Sequence, residues 1–326
     1  MVENNRVLEE IVSDIHAKFG MKVINVHQLN KGWLNVKWRL TTGGGSVFVK
    51  FYHPDRYKLH VTEKRAKIEQ TLYLQQRLFK SGLSCPEVYA LEGRFIQESQ
   101  GGHRYAIMDW VEGSVPDPGS ISNSHMYELG RTTGRMHQLL RDVPLARHAW
   151  QPDQKACLKE LQANFEQAAT VRNMPLTGLL EKAIKNVQSL DFDVFAESPR
   201  GWIHWDLWAD NLLLRENGAA AIVDFDRMDV AYPEIDIARA VLSGAWEKER
   251  LRPDAADCFL NGYREHAAAP KGTLLRAVHM LYLIESIWWL RTEIYEETGV
   301  PARFLQELAW LTEQWDGLPE IFSHIS

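Results

Sequence analysis

A chain of 326 residues with 45% hydrophobic and 25% charged side chains has the apolar mass for a large core and, by length, for two domains or lobes. A net charge of −6 argues against a nucleic-acid binder that relies on phosphate contacts, and the longest apolar runs are far too short to cross a bilayer, so neither partner is expected. Cys85, Cys157 and Cys258 are too scattered for a disulfide framework or a metal site, and the first residues lack the basic and apolar segments of a signal peptide; a cytoplasmic protein is expected.

Val7, Leu8, Ile11, Ile15 and Phe19 recur at helical spacing, and Gly20 ends the segment. Short strand-like runs follow at 23–26, 36–40 and 47–52, punctuated by Lys31-Gly32 and Gly43-Gly44-Gly45, which predicts an antiparallel meander. Two of its features suit a nucleotide. The turn Gly32-Trp33-Leu34-Asn35 can cover phosphates with backbone N–H groups, although a plain hairpin turn reads the same way. Lys50 stands among Phe48, Val49 and Phe51, where an ammonium needs a partner or an anionic ligand; an outward-facing lysine is the alternative.

A helix is predicted over 62–81, with Ile68, Leu72, Leu74, Leu78 and Phe79 inward and Ser81-Gly82 as its stop. It carries two acids able to pair with Lys50, Glu63 and Glu69. Glu69, beside Ile68 and Leu72, is the choice. Runs at 85–90, 94–97 and 103–108 complete the sheet. Residues 1–108 are therefore expected to form a nucleotide-binding lobe. Asp109-Trp110-Val111-Glu112-Gly113 and a Pro/Gly/Ser-rich run to Ser124 mark a linker over 109–124, whose backbone can meet an adenine edge.

From 125 the chain turns helical. Met126, Leu129, Met136, Leu139 and Leu140 form one face, with His137 read as a core histidine, and Leu158, Leu161 and Phe165 form another. Pro233 opens a helix in which Asp236 is placed to cap it or to bond a neighbouring loop. Residues 273–293 are apolar on nearly all sides and read as an internal helix, with Glu285 in line with Val278, Leu281 and Trp288. A buried acid there is either a substrate contact or an ion pair with Arg291 or Arg239. Asp210, Glu234, Glu285, Glu293, Glu296 and Glu297, with Trp246, Trp288 and Trp289, are the groups of this lobe that can receive a cationic substrate; a core plus a solvated helix end is the alternative and the commoner meaning.

The centre of the chain is His204-Trp205-Asp206-Leu207-Trp208-Ala209-Asp210-Asn211, of the form H-x-D-x-x-x-x-N. A hairpin follows, with Asn217-Gly218 as the expected central pair of a type I′ turn. That turn would set Glu216 against Ala219 and Asn211 against Asp224, with Cβ atoms roughly 5 Å apart on one face. An amide oxygen and a carboxylate so placed suit Mg²⁺, which takes oxygen ligands and completes its shell with phosphates. Asp206, on the loop before them, is placed to accept the proton of an attacking hydroxyl.

With Asp224-Phe225-Asp226, this loop resembles the aminoglycoside phosphotransferase and choline kinase superfamily. The segment 129–137, Ser81-Gly82-Leu83-Ser84-Cys85-Pro86 and Asp236-Ile237-Ala238-Arg239 resemble further elements of that family, so the likeness spans roughly residues 20–290. The resemblance implies an α+β, bilobal protein-kinase-like fold: a small antiparallel-sheet lobe and a mainly helical lobe over 125–326. It implies an ATP- and Mg²⁺-dependent kinase acting on a hydroxyl of a small molecule. Acceptors of the expected kind are an aminoglycoside, an amino alcohol, a homoserine-like amino acid or a sugar derivative. By position, Asp206 is the base with His204 and Asp236 supporting its loop, and Asn211 and Asp224 hold the metal. Lys50 meets the phosphates with Glu69 fixing it, and Asp109 to Val111 meet adenine through the backbone. A non-catalytic kinase-like protein of the spore-coat type is the alternative. A protein kinase is disfavoured by the missing Arg between His204 and Asp206.

Overall fold

The computed structural model describes residues 2–29, 36–145, 149–216, 218–295 and 297–325; Gly32, Asn35, Asn217 and Glu296 lie outside the described residues. Two compact units emerge, Met1–Ser114 with Ala221–Arg227, and Val115–Ala220 with Met228–Ser326.

The first unit runs α1 (Val2–Phe19), β1 (Val23–Leu29), β2 (Val36–Thr42), β3 (Gly45–Phe51), a short α2 (Pro54–Tyr57), α3 (Thr62–Lys80), β4 (Gln97–Glu98) and β5 (Arg104–Asp109). Its five strands form one antiparallel sheet in the order β1-β2-β3-β5-β4. The two-residue side-chain period of a strand sorts the two faces. Trp38, Leu40, Val47, Val49, Phe51, Tyr105 and Ile107 pack against Val7, Ile11 and Ile15 of α1. On the other face Phe48, Ala106 and Met108 meet Ile68 and Leu72 of α3. Lys50 shares the parity of Phe48, so it is on the α3 face and is 1% exposed. The run at 85–90 yields only a bridge between Val88 and Met108, next to Pro86, which has no N–H for a ladder.

The second unit carries α4 (Asn123–Leu140), α5 (Gln154–Thr170), α6 (Met174–Ser189), β6 (Gly201–Ile203), β7 (Leu212–Leu214), β8 (Ala220–Ile222), β9 (Asp229–Ala231), α7 (Pro233–Ala245), α8 (Pro253–Arg264), α9 (Thr273–Trp289), α10 (Thr292–Tyr295) and α11 (Val300–Glu313), with β8 running on into the first unit. β6 pairs with β9, and β7 with β8. α7 is the axis of the unit, with every residue from Glu234 to Ala245 buried. α4 and α8 approach backbone to backbone. A Cβ built on Gly130 would stand 1.9 Å from the Phe259 carbonyl oxygen, and one on Gly262 would stand 2.0 Å from that of Tyr127. Only glycine permits that approach. α9 is internal along most of its length, but Trp288 is 60% exposed, so the expected burial on all sides fails at its last turn. Among the described residues no helix is long and apolar enough to cross a membrane.

Candidate active site

β6 delivers His204, fully buried, into a loop that is held by α7 at two points. Asp236, in the first turn of α7, accepts the His204 N–H at 2.7 Å on Oδ2 and the Trp205 N–H at 2.9 Å on Oδ1. Ser243, near the other end of α7, accepts the Ala209 N–H at 2.8 Å. Between those anchors Trp205 has φ +69°, a region that bulky side chains rarely enter. The two N–H bonds to one carboxylate explain how it is held there. Asp236 therefore bonds the loop, the second of the two roles open to it from the sequence. His137 is buried in α4 as expected and lies 3.0 Å through Nε2 from Asp236 Oδ2 and 2.9 Å through Nδ1 from the Tyr263 hydroxyl. Asn211 closes the loop, its Nδ2 donating to the Asp206 carbonyl at 2.8 Å. Its amide oxygen thus turns away from that contact.

A buried charge triad lies behind this loop. Arg239 Nη1 donates to both oxygens of Glu285 (3.0 and 2.8 Å) and Nη2 to both of Glu307 (2.7 and 2.8 Å). The guanidinium lies over Phe304, 4.8 Å from the ring centre, and Phe304 stacks on Trp289 at 4.6 Å. Burial pushes the Glu285 carboxyl up to about 7 against the pull of Arg239, with Glu307 and Asp206 adding repulsion. Of the two ion pairs open to Glu285, the one with Arg239 forms. The other acids of this region do not join it. Glu234 takes Arg276 (2.9 Å) and Ser198 (3.1 Å), Glu293 takes Gln167 (2.7 Å), and Asp210 and Glu297 are exposed.

In the first unit Lys50 Nζ is 2.6 Å from Asp224 Oδ1 and 2.6 Å from Asp226 Oδ2, and Tyr57 donates to Asp226 at 2.9 Å. Lys37 Nζ holds the other oxygen of Asp224 at 3.1 Å. Burial alone would lower Lys50, yet Asp224 and Asp226 outweigh it and hold the ammonium well above its ordinary range. The two carboxyls split. Burial raises both, but the two lysines bring Asp224 below the usual range, while Asp226, also repelled by Asp224, stays above it. Glu69 does not pair with Lys50. Its two oxygens accept the backbone N–H groups of Phe95 (3.1 Å) and Ile96 (3.0 Å), and Glu63 is exposed. Those buried N–H groups need an acceptor, and α3 supplies it.

Asp109 ends β5. Its N–H donates to the Glu87 carbonyl at 2.9 Å, and its carboxylate accepts the Tyr89 hydroxyl at 2.8 Å. The Trp110 N–H turns the other way, to Ser46 on β3 at 3.3 Å. The alternation of strand backbone therefore aims the Asp109 carbonyl away from β3.

The hairpin differs from expectation. The Gly218 N–H donates to the Arg215 carbonyl (3.0 Å) and the Arg215 N–H to the Ala219 carbonyl (2.9 Å), so Arg215, not Glu216, stands against Ala219. Gly218 takes φ +86°, as the left-handed residue after a type I turn does in a three-residue loop. Asn211 and Asp224 are therefore not a directly opposed pair. Asn211 ends a 3₁₀ turn (Ala209–Asn211), and Asp224 lies past β8 with φ +63°. Among the described residues no three His, Cys, Asp or Glu side chains cluster closely enough to hold a metal. A cation would draw on the Asp224 carboxylate and on oxygens from outside the chain. Asp224 already accepts an ammonium at each oxygen, and a hard oxygen donor set suits Mg²⁺.

The model of the phosphotransferase enzyme family APH matches residues 25–269. The chain belongs to this family. It is a small-molecule phosphotransferase. The chain is 26% identical over 255 residues to a homoserine kinase of Bradyrhizobium sp. (strain ORS 278), covering 76% of this chain and 75% of the relative. A homoserine kinase of Rhodopseudomonas palustris (strain BisA53) is 25% identical over 308 residues, covering 91% and 88%. The fold is that of amicoumacin kinase hAmiN, solved in complex with AMP-PNP, Ca²⁺ and Ami (TM-score 0.64, 17% identity, 94% and 93% covered). It is also that of the microcompartment-associated aminopropanol kinase (TM-score 0.63, 18% identity, 94% and 97% covered). The α+β architecture expected from the sequence, a five-stranded antiparallel sheet followed by a mostly helical region, is the one observed.

Sequence reasoning did not single out Lys37, Tyr57 or Glu307. For Lys37 a signal existed. Thr42 pairs with Gly45 across Gly43-Gly44, and that register carries Lys37 directly opposite Lys50. Tyr57 and Glu307 reach their partners over 169 and 68 residues, with no local pattern to announce them.

Proposed function

We propose that this phosphotransferase transfers the γ-phosphoryl group of ATP, with Mg²⁺, to the hydroxyl of a small acceptor that bears an amino group, an amino alcohol or a homoserine-like amino acid. The observation that carries the acceptor class is a carboxylate at the Asp206 loop that its ion pair does not enclose: Glu285 shares Arg239 with the buried Glu307 and keeps 13% of its side chain exposed. Asp206 is near enough to Glu285 to repel it, so an ammonium on the acceptor relieves both. Relatives named homoserine kinase support the same reading. We place its work in the cytoplasm, where ATP is supplied.

Asp206 accepts the proton of the acceptor hydroxyl as its oxygen bonds the γ-phosphorus and ADP departs. Asp236 acts through the loop, fixing the backbone on either side of His204 and Trp205. Lys50 meets the nucleotide phosphates from a position preset by Asp224 and Asp226. The Asp109 carbonyl and Val111 N–H meet the adenine edge, and residues 109–124 join a nucleotide-binding lobe to a helical lobe. Asp224 and Asn211 would hold Mg²⁺, which when bound neutralises charge on the phosphate oxygens. Most of the rate then comes from placement and electrostatics.

The test is a coupled ADP-release screen over homoserine, amino alcohols, aminoglycosides and amine-free sugars. Turnover confined to amine-bearing hydroxyl compounds, with an acceptor KM raised about ten-fold in Glu285→Gln, is the expected result. Turnover of amine-free sugars alone would overturn the acceptor class.

A further inference from the structure

Lys37 is the unexplained charge of the first unit. It stands directly opposite Lys50 on the neighbouring strand, an arrangement that is destabilising for like charges. Lys50 needs no help with its own neutrality, since Asp224 and Asp226 both lie 2.6 Å from it. Removing Lys37 would leave Lys50 paired and the sheet one repulsion lighter. Yet Lys37 reaches across to Asp224 Oδ2 with its side chain only 16% exposed. With Lys37 present the four groups, two ammoniums and two carboxylates, sum to zero. A site that is neutral when empty has a cation to give up when a polyanion arrives.

We infer that Lys37 is a second phosphate-binding cation, held on Asp224 Oδ2 in the nucleotide-free protein and transferred to the phosphates when Mg²⁺ takes that oxygen. This rests on the proposed ATP and Mg²⁺ chemistry. Asp224 is the shared partner. Its Oδ1 keeps Lys50 in place while its Oδ2 exchanges one cation for another. Lys50 is locked by two carboxylates and full burial. Among the described residues Lys37 has one ion-pair partner, at 3.1 Å, and its side chain is 16% exposed against 2% for Lys50, so it is the member of the pair that is freer to exchange. No proton moves and no bond is made or broken covalently. The exchange requires only that an ammonium on a flexible stem trade a carboxylate oxygen for a phosphate oxygen.

The experiment compares wild type, Lys37→Met and Lys37→Arg for binding of Mg-ATP and AMP by calorimetry, and for stabilisation by Mg²⁺ alone by thermal shift. Lys37→Met is expected to weaken Mg-ATP binding about ten-fold or more and leave AMP binding unchanged, since a charge-assisted hydrogen bond to phosphate is lost and the adenosine end is untouched. It is also expected to respond to Mg²⁺ at a lower concentration than wild type, because the competing ammonium is gone. Lys37→Arg keeps the charge and restores the ATP-to-AMP ratio. Equal loss of ATP and AMP binding, or a wild-type ATP affinity in Lys37→Met, overturns the inference and leaves the kinase reading standing. A wild-type protein that binds no Mg-ATP overturns that reading and the inference with it. Should Lys37→Met fail to fold, Lys37→Gln carries the same comparison.

Discussion

Asp236→Asn is the sharpest perturbation of the catalytic loop, because it changes charge and donor pattern at constant volume. The carboxylate accepts two buried backbone N–H groups, from His204 at 2.7 Å and Trp205 at 2.9 Å. An asparagine has one acceptor oxygen, and its NH₂ group must face the second N–H. One buried donor is then unsatisfied, at about 1–3 kcal/mol, and the charge assistance of the other bond is lost, so roughly 2–4 kcal/mol of stability goes. The larger effect is on the loop. Holding Trp205 at φ +69° costs about 1–3 kcal/mol. With its anchor halved, the peptide relaxes toward ordinary backbone and carries Asp206 with it. At 1.4 kcal/mol per factor of ten, the population with Asp206 in place falls about ten- to a hundred-fold, and kcat falls with it. AMP affinity stays, since the groups proposed to meet adenine and phosphate, Asp109, Val111 and Lys50, belong to the other unit. The assay is coupled ADP release for kcat, with calorimetry for nucleotide binding and a thermal melt to show that the variant is folded. A folded Asp236→Asn with wild-type kcat would refute the account of the loop.

Asp206→Asn keeps the shape and removes the base; kcat is expected to drop at least about a hundred-fold with nucleotide binding retained, measured by the same two assays. Lys50→Met fills the same space and leaves Asp224 and Asp226 without their shared counter-charge. A loss of roughly 3–5 kcal/mol in urea unfolding is expected, and a wild-type midpoint would contradict the burial argument. Gly130→Ala sets a methyl against the Phe259 carbonyl and should destabilise by about 1–3 kcal/mol or more, read by the same denaturant titration. Glu285 titrates near 7 when folded against an ordinary 4.5, so the folded state holds the extra proton between those values. Its contribution to stability is fully present below about 4.5 and is lost as pH rises through 7. Glu285→Gln, uncharged throughout, should flatten the decline in Tm between pH 5 and pH 8; parallel curves for the two proteins would show that Glu285 does not titrate there.

How far the sequence carried the site depended on how local each signal was. The loop from His204 to Asn211 spans eight positions, and its chemistry is legible because the residues that close it, Asp206 and Asn211, are five apart in sequence and joined by one hydrogen bond. The sheet was legible for the same reason: alternation along each strand decides its two faces. The errors begin where a choice depended on distant chain. Lys50 demanded a carboxylate, and the search stayed on the nearest helix, whose Glu69 was already taken by two backbone N–H groups at 95 and 96. The partners come from 174 and 176 positions further on, and nothing in strand periodicity points there. The hairpin error is of another kind. Asn-Gly favours a two-residue turn, but the Arg215 and Gly218 bonds select a three-residue one, and a one-residue change of register carries every side chain to the opposite face. That shift removes the simple picture of two metal ligands face to face across a ladder and sets Asp224 past the strand, in left-handed backbone. Its oxygens there are divided between two lysines of adjacent strands. The paired lysines were themselves readable from the register of β2 and β3. The acid that joins them becomes visible only once the chain has folded.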